Sequence, residues 1–287
     1  MSSKDALKRN RFARLGFFGL GVVLFYAPFA LLVRAAGALW PASLAGTGVN
    51  DVHTACLRMP LGWLTQPWMW PTMAGNPISY LPVLVLPAVA LAAGPLFCGW
   101  LCPAGAFPEF LGRLVPERFK YDLKDHVSLR PVRYGFFVGF LLAPFVSASI
   151  CCSFCNFTHM QNIVSAVTGD LSGLAFFSSL GVVAALVWIV PLGLFTTGGR
   201  GWCLTLCPAG AVQGLVSGVS AKLPFATRVR TDAATCTGCG SCSAQCHMRA
   251  ITVEPEAETK VDLHLCDSCL DCVKGCPSGS MRYGRPS

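Results

Sequence analysis

Residues 236–246 read CTGCGSCSAQC and residues 266–277 read CDSCLDCVKGCP. Each follows the spacing C-x2-C-x2-C-x3-C, which in two-cluster iron–sulfur proteins gives three thiolates to one [4Fe–4S] cube and the fourth to its neighbour. The expected ligand sets are Cys236, Cys239, Cys242 and Cys276 for cluster 1, and Cys266, Cys269, Cys272 and Cys246 for cluster 2. Thiols this close in sequence converge on one cube only if the chain turns tightly, which Gly238 and Gly240 permit. Zinc competes for an isolated C-x2-C, but two complete runs favour iron–sulfur chemistry. The first run ends in His247 where the second has Pro277; the proline aims the chain and is no ligand, so cluster binding is expected to survive. His247 and His264 are candidate tuners or proton acceptors, against the plainer reading of packed or solvated side chains.

Outward from these runs the composition changes. The chain of 287 residues is 53% hydrophobic and 13% charged, with a mean hydropathy of +0.55, too apolar for a soluble protein of this size. A helix crosses about 30 Å of hydrocarbon with about 20 apolar residues. Residues 15–33, 78–97, 134–152 and 174–195 qualify, with kinks expected at Pro28, Pro82, Pro87, Pro144 and Pro191. The expected architecture is an α-helical membrane protein with about four transmembrane helices over residues 1–226, plus a small α+β two-cluster domain over residues 227–287. Lys4, Lys8, Arg9, Arg11 and Arg14, then Arg113, Arg118, Lys120, Lys124 and Arg130, then Arg200, Lys222, Arg228 and Arg230 mark three cytoplasmic segments. Both termini are then cytoplasmic in a bacterial inner membrane. The loops holding Arg58 and residues 153–173 face outward. The first span resembles a signal peptide but is longer than its usual apolar core, so an uncleaved anchor is expected. The net charge of +8 lies in clusters between apolar spans; this is membrane topology, and no nucleic-acid partner is expected.

A second repeat pairs FCGWLCPAGA at 97–106 with WCLTLCPAGA at 202–211. Both copies fall at the expected cytoplasmic ends of spans two and four, so Cys98, Cys102, Cys203 and Cys207 can meet at one boundary. They can ligate a further metal centre, form redox disulfides, help dock the C-terminal domain, or simply pack. On the outward side lie Cys151, Cys152, Cys155 and His159, with Cys56 and His53 in the other loop. For this set a metal or redox site, a structural disulfide and inert packing stay open. Trp63, Trp68 and Trp70 suit an interfacial belt better than a quinone or partner site. Phosphate-cradling loops, nucleophilic triads, acid–base carboxylate pairs and the C-x-x-C-H haem motif do not occur.

The basic tail, the four spans, the motifs ending Cys102-Pro103 and Cys207-Pro208 and the two cluster runs together resemble the NapH-type membrane ferredoxins, quinol-oxidising components associated with periplasmic nitrate reductase. The chain is also similar to the methylamine-utilisation ferredoxin-type membrane proteins and, more loosely, to membrane parts of the nitrous-oxide reductase accessory protein and a cytochrome oxidase assembly protein. The resemblance implies a two-cluster electron carrier, possible as a quinol dehydrogenase component, working between the quinone pool and a periplasmic redox protein with a second ferredoxin-like subunit. A maturation factor supplying electrons to a periplasmic metallo- or quinone-cofactor enzyme is the alternative, and a non-catalytic scaffold the third. The cysteines at 151, 152 and 155 depart from the nitrate-reductase branch and leave the pathway open.

Overall fold

The structure, a computed structural model, describes residues 2–26, 29–39, 56–146, 154–173, 180–253 and 259–285. Helices dominate: α1 (Ser3–Phe25), α2 (Leu31–Leu39), α3 (Leu86–Ala93), α4 (Pro103–Gly112), α5 (Leu129–Val146), α6 (Asn156–Val167), α7 (Leu180–Ile189) and α8 (Pro208–Ser220). The C-terminal segment adds two antiparallel pairs. Strand β1 (Arg228–Thr231) runs against β4 (Met281–Gly284) with Arg228 opposite Gly284, and β2 (Ile251–Val253) runs against β3 (Thr259–Val261).

Among the described residues, α5 is the helix long and apolar enough to cross a bilayer. The described apolar helices of the expected second and fourth spans, Leu81–Ala93 and Gly181–Leu194, are shorter, and residues 174–179 of the fourth lie outside the described residues. Each carries proline without breaking at it. Pro87 has no N–H to give the carbonyl of Val83, and the chain widens into a π turn over Leu81–Val85, closed by the Leu86 amide on the Leu81 carbonyl. The same device surrounds Pro191 at Val190–Leu194. The expected first span is divided: α1 begins in the basic tail at Ser3 and stops at Phe25, and α2 starts afresh at Leu31. Phe25, Tyr26, Leu86, Phe97, Phe157, Trp188 and Trp202 fill the core between the helices.

Two seams fix the C-terminal segment to the helices. In the first, Tyr283 Oη donates to Ala93 O (2.6 Å), the Thr227 amide to Ala92 O (2.8 Å) and the Arg228 guanidinium to Leu91 O (2.9 Å) and Ala90 O (2.8 Å). These are the final carbonyls of α3; Ala90 O also accepts from the Gly94 amide, and a helix end leaves the last ones without partners of its own. The second seam is ionic and buried. Glu109 of α4, 2% exposed, takes Arg14 Nη2 at 2.8 Å, Arg200 Nη2 at 2.8 Å and Arg113 Nη2 at 2.7 Å. Arg14 also reaches Asp271 (3.3 Å) and Arg200 reaches Asp267 (3.3 Å), while His247 Nε2 lies 2.6 Å from Asp267 Oδ2. Opposite charges compensate one another here, as buried ions require. Arg14 and Arg200, which the topology count treats as surface charge, are fully buried.

Candidate iron–sulfur centres

The two cluster runs fold alike. In each, the second and fourth positions after the leading cysteine take left-handed backbone: Gly238 (φ +66°) and Gly240 (φ +71°), then Ser268 (φ +55°) and Leu270 (φ +66°). Side chains pay a steric penalty there, so the second run holds its turn by contacts instead of by glycine: Trp100 Nε1 donates to Ser268 O at 3.1 Å, and the Ser268 amide to Cys266 Sγ at 3.5 Å. Cys246, Cys266, Cys269 and Cys272 line one small cavity with Val229, Met248, Ile251 and Val261. That is the expected cluster 2 set, with the fourth thiol borrowed from the other run. Cys276, expected in cluster 1, lies with Ser280 Oγ at 3.3 Å, and Cys236 with Thr259 Oγ1 at 3.4 Å.

The electrostatics of the two sets differ. Burial pushes the Cys246 thiol up to about 11 and, with the Asp267 charge, lifts Cys266 and Cys269 further. Burial alone would also raise Cys276, but hydroxyls of Ser278 and Ser280 outweigh it and hold the thiol at about 6. Cys239 is exposed. The expected cluster 2 set is therefore the more buried of the two, and the expected cluster 1 set has the exposed Cys239. Four converging soft sulfurs are the donor set that iron–sulfur clusters and zinc take.

The twin C-x3-C-P motifs also converge. Cys98, Cys102, Cys203 and Cys207 line a single cavity of about 20 Å³, no smaller than the cluster 2 cavity of about 10 Å³. The two cysteines of a motif are not equivalent. Cys98 lies in a π turn (Phe97–Leu101) and Cys203 in a short helix (Gly201–Thr205), while Cys102 and Cys207 have extended backbone and cap α4 and α8 just before a proline. The Gly210 amide donates to Cys207 Sγ at 3.4 Å, so the thiol takes the place of a capping oxygen. Arg58, Arg133 and Arg200 join the lining. Two helix N-termini and three guanidinium groups around four thiols favour a centre of net negative charge, as a thiolate-bound metal has. Glycine eases the packing here: a Cβ on Gly105 would lie 3.2 Å from Cys203 Sγ, and one on Gly210 would lie 2.7 Å from Arg133 Nη2, which would have to move aside.

Cys266 and Asp267 line this cavity too, while also bordering the cluster 2 cavity. The cavities share a wall. Gly99 lets the wall close, since a Cβ there would lie 2.4 Å from Asp267 O.

Cys151, Cys152 and His53 lie outside the described residues. Cys56, Cys155 and His159, expected to face outward, are buried at 6%, 6% and 0% exposure. Cys155 is joined to the C-x3-C-P site by Arg58, whose Nη1 is 3.4 Å from Cys155 Sγ and whose Nη2 is 3.4 Å from Cys207 Sγ. Arg58 Nη2 also donates to Asn156 Oδ1. Charge counting places Arg58 and Cys155 in outward loops and Cys207 at a cytoplasmic span end; in the structure one guanidinium contacts both cysteines. All fourteen cysteines among the described residues are free. Of the tryptophans, Trp63 is buried and Trp68 and Trp70 are exposed. Sequence reasoning missed Arg58, Arg133, Arg200 and Glu109. A signal for Glu109 was present: it is the single acidic residue between Asp51 and Glu117.

Family models agree with this division. A 4Fe–4S binding domain matches residues 76–121 and again 180–225, each spanning one C-x3-C-P motif, and a 4Fe–4S dicluster domain matches residues 235–280. The chain is 29% identical over 198 residues to the putative electron transport protein YccM of Escherichia coli, covering 67% of this chain and 51% of that protein. It is 26% identical over 226 residues to the E. coli ferredoxin-type protein NapH, covering 74% and 72% of the two chains. To the methylamine utilization ferredoxin-type protein MauN of Methylorubrum extorquens it is 32% identical over 158 residues, covering 54% and 48%. The chain thus spans about half the length of YccM and of MauN. No solved structure matches. A mostly helical chain with a dicluster segment and a duplicated 4Fe–4S binding segment ahead of it has homologues in the ferredoxin-type proteins NapH and MauN, which is consistent with the NapH-type membrane ferredoxins.

Proposed function

We propose that the chain passes electrons between the quinone pool of a bacterial inner membrane and a periplasmic redox system, working with a second ferredoxin-like subunit. Residues 1–226 form the membrane part with about four spans, residues 227–287 the two-cluster unit, and both termini are cytoplasmic. Cys236, Cys239, Cys242 and Cys276 hold cluster 1; Cys266, Cys269, Cys272 and Cys246 hold cluster 2; Cys98, Cys102, Cys203 and Cys207 hold a further metal centre. When bound, each [4Fe–4S] group supplies a one-electron site, so two of them accept the two electrons a quinol gives up with its two protons. The chain's own residues keep water from the buried centres and set their spacing.

The observation that carries this reading is the shared wall of Cys266 and Asp267 between the C-x3-C-P cavity and the cluster 2 cavity. A scaffold has no need of adjoining thiol sites. The maturation alternative drew support from outward thiols, and Cys56 and Cys155 are buried.

Iron and acid-labile sulfide counting on anaerobically purified protein tests the assignment. Three cubes give about twelve iron atoms per chain. Cys207→Ser is expected to lower the count by about four while leaving the paramagnetic signals of clusters 1 and 2 on reduction. A wild-type count of about eight removes the third centre. A chain without sulfide, or clusters that quinol does not reduce in membranes, sinks the electron-transfer reading.

A further inference from the structure

A cavity of about 290 Å³ lies against the flank of α5, lined by Phe136, Gly139, Phe140, Phe154, Trp202 and Arg58, among others. Its walls are hydrocarbon and aromatic apart from the Cys155 thiol and one cation, Arg58. Arg58 is 6% exposed, and no carboxylate among the described residues pairs with it; its partners are the sulfurs of Cys155 and Cys207 and the amide oxygen of Asn156. A buried guanidinium without an opposite charge is costly unless acceptors meet it. Arg58 lines this slot and the four-cysteine cavity at once.

The geometry points to a binding site for a quinone headgroup in this slot, with the Arg58 guanidinium as donor to a quinone carbonyl oxygen. Sugar-like or multiply charged ligands would leave polar groups unpaired against the aromatic wall. A flat apolar ring with a carbonyl acceptor suits both the aromatic side chains Phe136, Phe140 and Trp202 and the one charged donor. The mouth of the slot is on the outside of the helix that is long enough to span: Phe136 and Phe154 are 52% and 43% exposed. A prenyl tail can therefore stay in lipid while the ring enters. One guanidinium separates the ring from Cys207, which caps α8 and faces the C-x3-C-P cavity. The inference rests on the electron-transfer reading and gives it a place for the quinone.

Photolabelling of the full chain in phospholipid nanodiscs, with its clusters intact, tests the site. The probe is an azido-substituted ubiquinone with decylubiquinone as competitor. Label is expected in residues 136–143 and 202–208, displaced by decylubiquinone. Gly139→Phe is the informative variant, because nothing lies within 4 Å of a Cβ at Gly139 and the ring fills the slot without moving backbone. It is expected to lower labelling at least tenfold while the dithionite-reducible cluster signal stays at the wild-type level. Arg58→Gln is expected to weaken labelling similarly, with partial recovery in Arg58→Lys. Labelling elsewhere, labelling unchanged in Gly139→Phe, or label displaced by phospholipid but not by decylubiquinone overturns the site. Reduction of the clusters by decylubiquinol separates the two claims. Label in the slot without any reduction leaves the site standing and removes the quinol-dependent function, whereas reduction that persists undiminished in Gly139→Phe removes the site and spares the function.

Discussion

Replacing Glu109 by Gln should loosen the C-terminal segment from the helices without emptying its clusters. The carboxylate is 2% exposed and meets three guanidinium groups at 2.7 to 2.8 Å. In the variant, Arg14 and Arg200 keep one carboxylate each, Asp271 and Asp267, both at 3.3 Å, and the new amide turns donors toward donors. Breaking a buried pair from one side costs about 3–5 kcal/mol. Since the aspartates still compensate part of the charge, the lower figure applies, and about 3 kcal/mol corresponds to roughly a hundredfold rise in the open population. Hydrogen exchange reads this directly, at the amides of residues 265–271 and in the first half of α1. Exchange there should accelerate by about two orders of magnitude while amides in α5 keep their wild-type rates. The pH dependence adds a sign. Burial alone would raise the Glu109 pKa, but the charges of His247, Arg200, Arg14 and Arg113 outweigh it and hold the group below the usual carboxylate range. Its contribution is therefore complete above the ordinary glutamate value of about 4.3 and fades as pH falls from there through the depressed folded value. The gap between wild type and variant should stay constant from neutral to mildly acidic pH. Exchange in the variant within tenfold of wild type, with clusters intact, would refute the reasoning.

Gly99→Ala should act on the same interface by steric means, because the added carbon would lie 2.4 Å from Asp267 O and 3.1 Å from the Cys269 amide; a loss of about 1–3 kcal/mol is expected, read as earlier proteolytic release of the C-terminal segment, and unchanged proteolysis counts against the contact. Tyr283→Phe removes the 2.6 Å bond to Ala93 O and should cost about 1 kcal/mol, visible as a small drop in thermal midpoint at unchanged cluster content. Reconstitution of apoprotein should show that cluster 2 loads less readily than cluster 1 when pH is lowered toward neutrality, because burial holds the Cys246 thiol up at about 11 whereas Cys276, held at about 6 once its serine hydroxyls outweigh burial, is already ionised. Equal pH profiles for the two cluster signals would contradict that.

The cluster runs were legible because cysteine spacing is a local property: three ligands within seven residues define a turn wherever the chain goes. The same rule expects a fourth ligand borrowed from the other run, and Cys246 lines one cavity with Cys266, Cys269 and Cys272. The convergence of Cys98, Cys102, Cys203 and Cys207 was readable as a prospect, though not the role of Cys102 and Cys207 as helix caps, which depends on where each helix restarts after its π turn or loop. Hydropathy sums over windows and does not register the missing donors of Pro87 and Pro191, which the apolar helices Leu81–Ala93 and Gly181–Leu194 accommodate with π turns. Charge counting does not register the contacts that basic residues make. Arg14, Arg58 and Arg200 look like topology markers, and each is buried on a partner that lies 85 or more residues away along the chain. Sequence distance of that order leaves no local trace.

The duplicated segment has a historical consequence. Each copy delivers two thiols and one capping helix to the four-cysteine cavity, so an ancestor with a single copy could have completed such a pocket only by pairing with its twin. Fusion of the two genes would then have freed the halves to diverge, one gaining Glu109 and the other Arg200, whose 2.8 Å contact now ties together what symmetry once held.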